Sequence, residues 1–400
     1  MVLFQKKFLL VFSVSFFAAC LVAGAQVQLG IDVLQARGFA GLQGKRVGLI
    51  TNQTGVNSAG VRTRVILQHA PGVKLVALYT PEHGLDGTEL AGKYVASRKD
   101  RVTGLTAYSL YGDTRKPTRA MLRGVDVLVY DMQDIGCRSY TYISTMVKCM
   151  EAAGENGIEF VVLDRPNPLG GLRVEGPSME SKWISFVGQL PVPYVHGMTA
   201  GELARMADAR GWVQPGCKLR VVPMQGWQRA MTWSDTGLHW VPTSPNIPRA
   251  NSPFFYVATG LVGELAGIET GCGGTTPFEI IGSTGLDASR ATHFLISQGF
   301  SGVYFSPATN GNHQFVRLQI DPHAGANLTA IGIYYLSEAC KASDLFARSN
   351  AEHLNMFYKC YGSSDIIPMI KKGVPPSRIV AGWAHAVSRF QNDRLAYLLY

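Results

Sequence analysis

Residues 125–157 read VDVLVYDMQDIGCRSYTYISTMVKCMEAAGENG, and this stretch decides the fold class. Its opening run is almost wholly apolar, which is typical of a strand buried on both faces of a parallel sheet. Further on, Ile143, Met146 and Met150 repeat at helical spacing before an end marked by glycines. A strand, a polar loop and an amphipathic helix in that order form the unit from which α/β domains are built.

The same alternation extends in both directions along the chain. Near-continuous apolar runs at Arg46–Thr51, Val73–Thr80 and Ile158–Asp164 predict three more parallel strands. Thr199 and Glu202 stand at capping-box spacing and predict the start of another helix. The pattern therefore predicts an α/β fold with a Rossmann-like, doubly wound parallel sheet.

The pattern changes near residue 240. Beyond it, the segments GVYFSP and HQFVRLQID predict two short strands, and helical patterns surround them. We therefore expect a Rossmann-like N-terminal domain over residues 26–240 and a smaller α/β (α+β) C-terminal domain over residues 241–400.

Residues 1–25 have the features of a secretory signal peptide. Two lysines precede a short apolar run, and Ala23 and Ala25 form an A-x-A cleavage site. A lipid-carrying N-terminus at Cys20 is the alternative. No later segment is long and apolar enough to cross a bilayer, so the sequence predicts no stable membrane span. We expect an exported protein that is periplasmic or extracellular after cleavage.

The chain carries 37 Lys and Arg against 28 Asp and Glu. The basic residues are scattered and form no stripe with aromatic residues, so no nucleic-acid interface is predicted. The excess of positive charge suits an anionic extracellular partner such as a cell-wall polymer, or serves solubility alone. The cysteines beyond the predicted cleavage site have spacings that select no disulfide pairing and no metal site.

Polar side chains follow each of the four predicted strands. Because the carboxyl ends of parallel strands meet at one edge of a sheet, we expect these side chains to share a crevice. Each of these residues taken alone is explained as a helix cap or a turn residue. The whole set together favours a functional site. The set comprises Asn52, Glu82, His83, Asp131, Gln133, Asp134, Arg138, Asp164, Arg165 and Asn167.

The loops that follow these strands carry no Gly-rich nucleotide fingerprint, no G-x-S-x-G motif and no H-E-x-x-H motif. What remains is a group of carboxylates with polar and cationic neighbours. This inventory fits acid–base hydrolysis, including glycoside cleavage by a carboxyl pair, and it also fits plain sugar binding. An amide or ester hydrolase that uses Cys137 or His83 is a third interpretation.

Eight motifs stand out along the chain: GKRVGLITNQTG, LYTPEHGLDG, YDMQDIGCRSYTY, LDRPNPLGG, VEGP, SPNIP, PFEIIG and the terminal YLLY. From about Gly44 to Tyr400 they resemble, in register, the NamZ-type exo-β-N-acetylmuramidases, a family of glycoside hydrolases. The resemblance implies two domains with the active site in the cleft between them. It also implies a role in cell-wall recycling, in which N-acetylmuramic acid is released from non-reducing ends of peptidoglycan fragments (muropeptides, MurNAc-GlcNAc) without a metal or organic cofactor.

The resemblance also implies roles for particular residues. Glu82 of PEHG is the leading candidate for a catalytic carboxyl group, and Glu175 of VEGP is the candidate for its partner. Asp134, Asp164 and Glu264 are the alternatives for that second carboxylate. The residues expected to bind substrate are Asn52, His83, Gln133, Asp134, Arg138, Tyr140, Asp164, Arg165, Asn167, Asn246 and Glu264.

The lactyl carboxylate of muramic acid calls for a cationic partner, and Arg138 or Arg165 is expected to supply it. One loop and one single residue depart from the family pattern. Many relatives carry a loop of the SEGRGTT-PFE kind, whereas this chain has GIETGCGGTTPFE at residues 267–279, without arginine and with Cys272. Asp86 stands where a basic residue is common. The altered loop motivates the alternative function, a non-catalytic peptidoglycan-binding protein on the same fold.

Overall fold

The structure, a computed structural model, describes residues 26–311 and 313–400, so the predicted signal peptide lies outside the described residues. The strands are β1 (Arg46–Thr51), β2 (Lys74–Thr80), β3 (Arg98–Lys99), β4 (Thr106–Ser109), β5 (Val127–Asp131), β6 (Glu159–Leu163), β7 (Glu175–Ser178), β8 (Pro193–Val195), β9 (Lys218–Val222), β10 (Ile268–Glu269), β11 (Ile280–Ser283), β12 (Val303–Asn310) and β13 (His313–Ile320). The α-helices are α1 (Gly30–Ala36), α2 (Thr63–Gln68), α3 (Tyr142–Glu155), α4 (Ala200–Ala209), α5 (Ser252–Thr259), α6 (Ala288–Ser297), α7 (Leu328–Ala342), α8 (Leu345–Arg348), α9 (Ala351–Tyr361), α10 (Ile366–Lys371), α11 (Pro376–Ala381) and α12 (Ala384–Asp393).

A seven-stranded sheet with the order β3-β4-β2-β1-β5-β6-β9 forms the N-terminal domain. All neighbouring pairs are parallel except that of the edge strand β3. The chain starts with β1 in the middle, moves outward to β4, and returns to lay β5 against the other side of β1. Doubly wound folds bind their ligands at such a switch point, outside the carboxyl ends of the strands. The predicted Rossmann-like sheet is confirmed.

Both faces of the sheet are covered, as its apolar strands require. In β5, Val127 and Val129 belong to the core that contains Leu34 of α1. The alternate residues Leu128 and Tyr130 belong to the core beneath α3 and α4. Because successive residues of a strand point to opposite faces, a strand that is apolar at every position needs a layer on each side.

The predicted capping box at the start of α4 is also confirmed. Thr199 Oγ1 accepts a hydrogen bond from the backbone N–H of Glu202 at 3.2 Å, and Glu202 Oε2 accepts one from the backbone N–H of Thr199 at 3.0 Å. This reciprocal pair satisfies two backbone donors that the first turn of a helix leaves without partners. It fixes the direction of α4 beneath the sheet.

The smaller C-terminal domain has an antiparallel sheet with the order β10-β11-β13-β12 and several packed helices. Val316, Leu318 and Ile320 are buried on one face of β13, as their alternation predicts. β12 is longer than the predicted strand because it pairs with β13 along its whole length. Across residues 26–311 and 313–400, no helix has the length and apolar character that a membrane crossing needs.

Candidate active site

Glu82 follows β2 and lies beside the N-terminus of α3. Its side chain is only 7% exposed. Oε2 accepts a hydrogen bond from the Thr141 hydroxyl at 2.7 Å, and Oε1 accepts one from the Gly92 backbone N–H at 2.7 Å. Thr141 is the N-cap residue of α3, so the carboxylate sits near the positive end of the helix dipole. Burial and the neighbouring Glu82 carboxylate raise the pKa of Tyr111 to about 12.

His83 stabilises the turn that presents Glu82. Its backbone φ is +68°, in the left-handed region that a residue with a side chain rarely adopts. The ring atom Nδ1 lies 2.7 Å from the carbonyl oxygen of Glu89. A non-glycine residue in this region costs about 1–3 kcal/mol and persists only where its surroundings determine it. The geometry gives His83 a role in positioning the loop after β2.

The switch point between β1 and β5 is closed by a polar network. Thr54 Oγ1 accepts from the Gln133 backbone N–H at 2.9 Å and donates to Asn52 Oδ1 at 2.6 Å. Gln133 Nε2 donates to the carbonyl oxygens of Asp134 and Pro166, both at 2.8 Å. Asn52 Nδ2 and Gln133 Oε1 are buried and have no partner among the described residues. The crevice therefore contains unused hydrogen-bonding groups of both kinds.

Asp134 belongs to the same loop and is buried. Its Oδ2 accepts a hydrogen bond from the Gly136 backbone N–H at 2.7 Å, and its Oδ1 has no partner among the described residues. Burial raises the pKa of Asp134 to about 7, although the backbone N–H groups of Ile135 and Gly136 act to lower it. A carboxyl group with this pKa holds a proton near neutral pH and is able to donate it.

The segment between Asp134 and α3 is also where the two domains meet. The Tyr140 hydroxyl donates to Thr243 Oγ1 at 2.8 Å, and the Tyr142 hydroxyl donates to the Thr243 carbonyl oxygen at 2.6 Å. Ser139 Oγ lies 3.0 Å from the Tyr256 hydroxyl. Ser139 thus contacts α5 of the C-terminal domain, and Tyr140 lies next to it, one residue from the Thr141 hydroxyl that binds Glu82.

Asn246 and Glu264 stand beside the Gly-rich loop of the C-terminal domain. Asn246 Oδ1 accepts a hydrogen bond from the Gly273 backbone N–H at 2.9 Å. Burial raises the pKa of Glu264, while His353 acts to lower it. Burial and then the Glu264 carboxylate raise the pKa of Cys272. Both residues therefore contact or adjoin the segment that departs from the family pattern.

Asp164 is saturated with hydrogen bonds. Oδ1 accepts from the backbone N–H groups of Gly201 and Arg165 at 2.8 and 3.1 Å. Oδ2 accepts from the hydroxyls of Thr199 and Tyr400 at 2.7 and 2.8 Å. Burial raises the pKa of Asp164 to about 6. This carboxyl group joins the end of β6, the start of α4 and the last residue of the chain.

The Arg138 guanidinium is directed at backbone carbonyls. Nη1 donates to the oxygens of Pro177 and Val192 at 2.9 and 2.5 Å, and Nη2 donates to those of Cys360 and Tyr361, the last two residues of α9. Burial lowers its pKa to about 10. Arg138 thus joins the N-terminal domain to the C-terminal helices. Its guanidinium makes four hydrogen bonds, all of them to backbone carbonyl oxygens.

Arg165 and Asn167 follow β6. Arg165 Nε donates to Asp131 Oδ1 and Nη2 donates to the Val56 carbonyl oxygen, both at 2.6 Å. Asn167 Oδ1 accepts from the Leu169 backbone N–H at 2.9 Å, which closes the turn after the strand. Arg165 is therefore the predicted cation that lies at the switch point, and it is paired there with Asp131.

Glu175 is the first residue of β7. Its Oε1 accepts from the Arg173 guanidinium, and its Oε2 accepts from the Thr329 backbone N–H at 3.1 Å. Burial raises its pKa, and Arg173 acts in the opposite direction. Thr329 lies in the first turn of α7, so Glu175 joins the β7–β8 hairpin to the C-terminal domain. Glu175 shares no hydrogen-bond partner with Glu82.

The two departures from the family pattern have partners that sequence reasoning missed. Arg249, which precedes α5, forms an ion pair with Glu279, so an arginine does reach the loop at residues 267–279. The charge of Asp86 is balanced rather than free to act on Glu82. Three arginines surround it: Arg62 at 3.6 Å, Arg64 at 3.7 Å and Arg98 in direct contact.

The residues that hold Glu82 were also missed, namely Thr141 and Gly92. Thr141 had a usable signal, because a threonine directly before an amphipathic helix is an N-cap residue whose hydroxyl is available. In the part of the chain that the structure describes, no group of three or more metal-ligating side chains comes together. The six cysteines of that part are unpaired.

A Rossmann-like sheet that gathers buried carboxyl groups at its strand ends, beside a second domain, is an arrangement suited to an acid–base hydrolase. Family models of the exo-β-N-acetylmuramidase NamZ match residues 47–251 with their N-terminal part and residues 254–400 with their C-terminal part. The chain belongs to this family of glycoside hydrolases.

Individual relatives agree with this assignment. The peptidoglycan β-N-acetylmuramidase NamZ of Bacillus subtilis is 42% identical, and the match covers 94% of this chain and 92% of that protein. A crystal structure of a DUF1343 family protein from Bacteroides fragilis has a TM-score of 0.87 at 42% identity and covers 94% of this chain and 99% of its own. A second such protein from the same organism has a TM-score of 0.72 at 28% identity, with the same coverage.

Proposed function

We propose that the protein is an exported exo-β-N-acetylmuramidase that releases N-acetylmuramic acid from the non-reducing ends of peptidoglycan fragments. The family and the 42% identity to a peptidoglycan β-N-acetylmuramidase over 94% of the chain support the substrate class. The paired lysines, apolar run and A-x-A site within residues 1–25 support export to the compartment where cell wall is found.

The setting of Glu82 carries the catalytic part of the proposal. Its carboxylate is 7% exposed and is held by a hydroxyl and a backbone N–H group at the start of a helix. Neutral donors and a helix N-terminus suit an anion without cancelling its charge, in contrast to an arginine. Glu82 therefore acts as the nucleophile, or as the base that activates water.

Asp134 is the proton donor in this proposal. Cleavage of a glycosidic bond needs a carboxylic acid that is protonated at working pH, and burial raises the pKa of Asp134 to about 7. Both oxygens of Glu175 are occupied, one of them by Arg173. Glu175, the second carboxylate that the family resemblance suggested, is therefore the alternative donor.

Hydrolysis of a chromogenic β-N-acetylmuraminide by the purified protein tests the proposal. We expect Glu82→Gln to lower kcat by at least about a hundredfold while the protein stays folded, because a positioned acid or base contributes about 10²–10⁴. Glu89→Gln is the matched control, since Glu89 is exposed and its hydrogen bonds to His83 in this turn come from its backbone N–H and carbonyl groups.

Turnover by Glu82→Gln at the wild-type rate would refute the role of Glu82. Tight binding of peptidoglycan fragments without turnover by the wild-type protein would favour the non-catalytic binding protein that the altered loop at residues 267–279 suggests.

A further inference from the structure

The segment that follows β4 lies beside the turn that carries Glu82. β2 and β4 are parallel neighbours, and their register pairs Thr80 with Ser109. The Leu110 backbone N–H donates to the Thr80 carbonyl oxygen at 2.8 Å, so the two chains stay paired where the strands end. Glu82 stands two positions after Thr80, and Tyr111 stands two positions after Ser109. Because neighbouring strands are about 4.8 Å apart, Tyr111 lies next to Glu82.

The Arg115 guanidinium is stacked on the Tyr111 ring. Its carbon Cζ lies 3.8 Å from the centre of that ring and 5.5 Å from the centre of the Phe186 ring. Nη1 donates to the Gly112 carbonyl oxygen at 3.2 Å, which orients the group. Burial is the main cause of the raised pKa of Tyr111, the Glu82 carboxylate raises this pKa further, and Arg115 lowers it. The cation and the candidate catalytic carboxylate therefore adjoin the same tyrosine side chain.

Arg115 differs from the two arginines that the sequence offers as partners for a carboxylate. Arg138 is buried and donates to four backbone carbonyl oxygens, and Arg165 is paired with Asp131. Arg115 is partly exposed, and no carboxylate pairs with it in residues 26–311 and 313–400. A guanidinium that lies on an aromatic ring keeps the N–H groups of its outer edge for a ligand. Arg115 is thus an oriented cation whose charge is available to a bound anion.

Lys93 is the competing cation in this neighbourhood. It follows Gly92, whose backbone N–H binds the Glu82 carboxylate. The Lys93 side chain is exposed, and within the described ranges it makes no hydrogen bond and no aromatic contact. Ordering such a side chain on a ligand costs rotamer entropy, whereas the stacked Arg115 is already ordered. Arg115 is therefore the better placed of the two to bind an anion specifically.

The proposed substrate carries a matching anion. N-acetylmuramic acid differs from N-acetylglucosamine by a lactyl ether, whose carboxylate is attached to the same sugar ring as the anomeric carbon at which the bond is cleaved. A guanidinium binds a carboxylate through two parallel N–H···O bonds, which are charge-assisted and geometrically specific. We propose that Arg115 binds this lactyl carboxylate and thereby selects N-acetylmuramic acid over N-acetylglucosamine. This inference rests on the proposed function.

Kinetics of Arg115→Gln on two substrates tests the assignment. The substrates are a chromogenic β-N-acetylmuraminide and the same glycoside with its lactyl carboxylate converted to the primary amide. We expect kcat/KM to fall roughly ten- to hundredfold for the carboxylate substrate, because a hydrogen-bonded charge loses its partner, and to stay unchanged for the amide. Arg115→Lys keeps the charge without the planar fork and should recover part of the loss. Arg119→Gln, at an exposed position four residues further on, is the matched control and should change neither rate.

The comparison of substrates separates recognition from a structural role. An equal loss on the carboxylate and amide substrates would mean that Arg115 only supports the packing of Tyr111, and it would overturn the proposal. A loss specific to the carboxylate in Lys93→Gln, with none in Arg115→Gln, would overturn it in favour of Lys93.

A binding measurement that needs no turnover separates this inference from the proposed function. Isothermal titration of the wild-type protein with N-acetylmuramic acid and with its lactyl amide is expected to show a roughly ten- to hundredfold preference for the acid, which Arg115→Gln abolishes. Such a result supports the inference even if the protein hydrolyses no muraminide. Equal affinity of the wild-type protein for the acid and the amide contradicts the inference even if the protein is an active muramidase.

Discussion

Replacing Asp134 by asparagine is expected to change how stability depends on pH. The substitution keeps the size of the side chain and an acceptor for the Gly136 N–H, but it removes the titrating group. Burial raises the pKa of Asp134 from an ordinary value of 3.8 to about 7. A pKa rise of this size corresponds to a change of about 4 kcal/mol in the unfolding free energy.

Whether the unfolding free energy rises or falls with pH depends on whether the folded or the unfolded state binds the Asp134 proton more tightly. The folded protein holds the Asp134 proton up to about pH 7, whereas the unfolded chain releases it near pH 4. This group therefore contributes full stability below pH 4, and that contribution is lost as the pH rises to 7. Because asparagine does not titrate, the unfolding free energy of Asp134→Asn minus that of the wild type should rise by up to about 4 kcal/mol between pH 4 and pH 7, and then level off.

Urea unfolding of both proteins at pH 4, 5, 6, 7 and 8 measures this difference. Asp164, whose pKa burial raises to about 6, titrates in both proteins and cancels in the comparison. Asp113→Asn, at an exposed position, is the control and should show no such trend. A difference that is flat across this range, or that falls as the pH rises, would refute the buried, protonated state of Asp134. The same protonation predicts that wild-type kcat declines about tenfold per pH unit well above pH 7.

Two further substitutions test the long-range contacts that hold the site in place. Arg138→Met leaves four backbone carbonyls without their donor, so the unfolding free energy should fall by at least about 3 kcal/mol in urea, against little change for the exposed Arg378→Met. Tyr400→Phe removes a hydroxyl that accepts from the Met224 backbone N–H and donates to Asp164, both at 2.8 Å. Thermal unfolding should show that the unfolding free energy falls by about 1–3 kcal/mol, and an unchanged Tm would contradict a stabilising role for these two hydrogen bonds of Tyr400.

The sheet was predictable because burial on both faces leaves a direct mark on the sequence. The predicted strands Arg46–Thr51 and Val73–Thr80 match β1 and β2 to within one residue at each end. The same argument placed polar residues at the carboxyl ends of these strands, since a chain that leaves an apolar layer must turn and meet solvent. Periodicity therefore gave the fold and the edge of the sheet that gathers polar groups.

The uses of those polar groups were not predictable, because their partners are distant in sequence. Tyr400, which saturates Asp164, lies 236 residues away along the chain. Tyr361, which accepts from Arg138, lies 223 residues away. No local pattern encodes such a contact, so a carboxylate and an arginine that fix the architecture look the same in the sequence as residues that face a ligand.

Charge compensation distinguishes the candidate carboxylates better than burial does. Glu82 and Glu175 are 7% and 6% exposed, so burial alone does not rank them. Glu175 is paired with a guanidinium and joins two domains, and removing it would leave the partly buried Arg173 without a counter-ion. Glu82 is held by a hydroxyl and a backbone N–H, which orient the carboxylate but leave its charge uncompensated. A buried, oriented carboxylate without a counter-ion costs stability, so this setting supports the proposed catalytic role of Glu82 rather than a purely structural one.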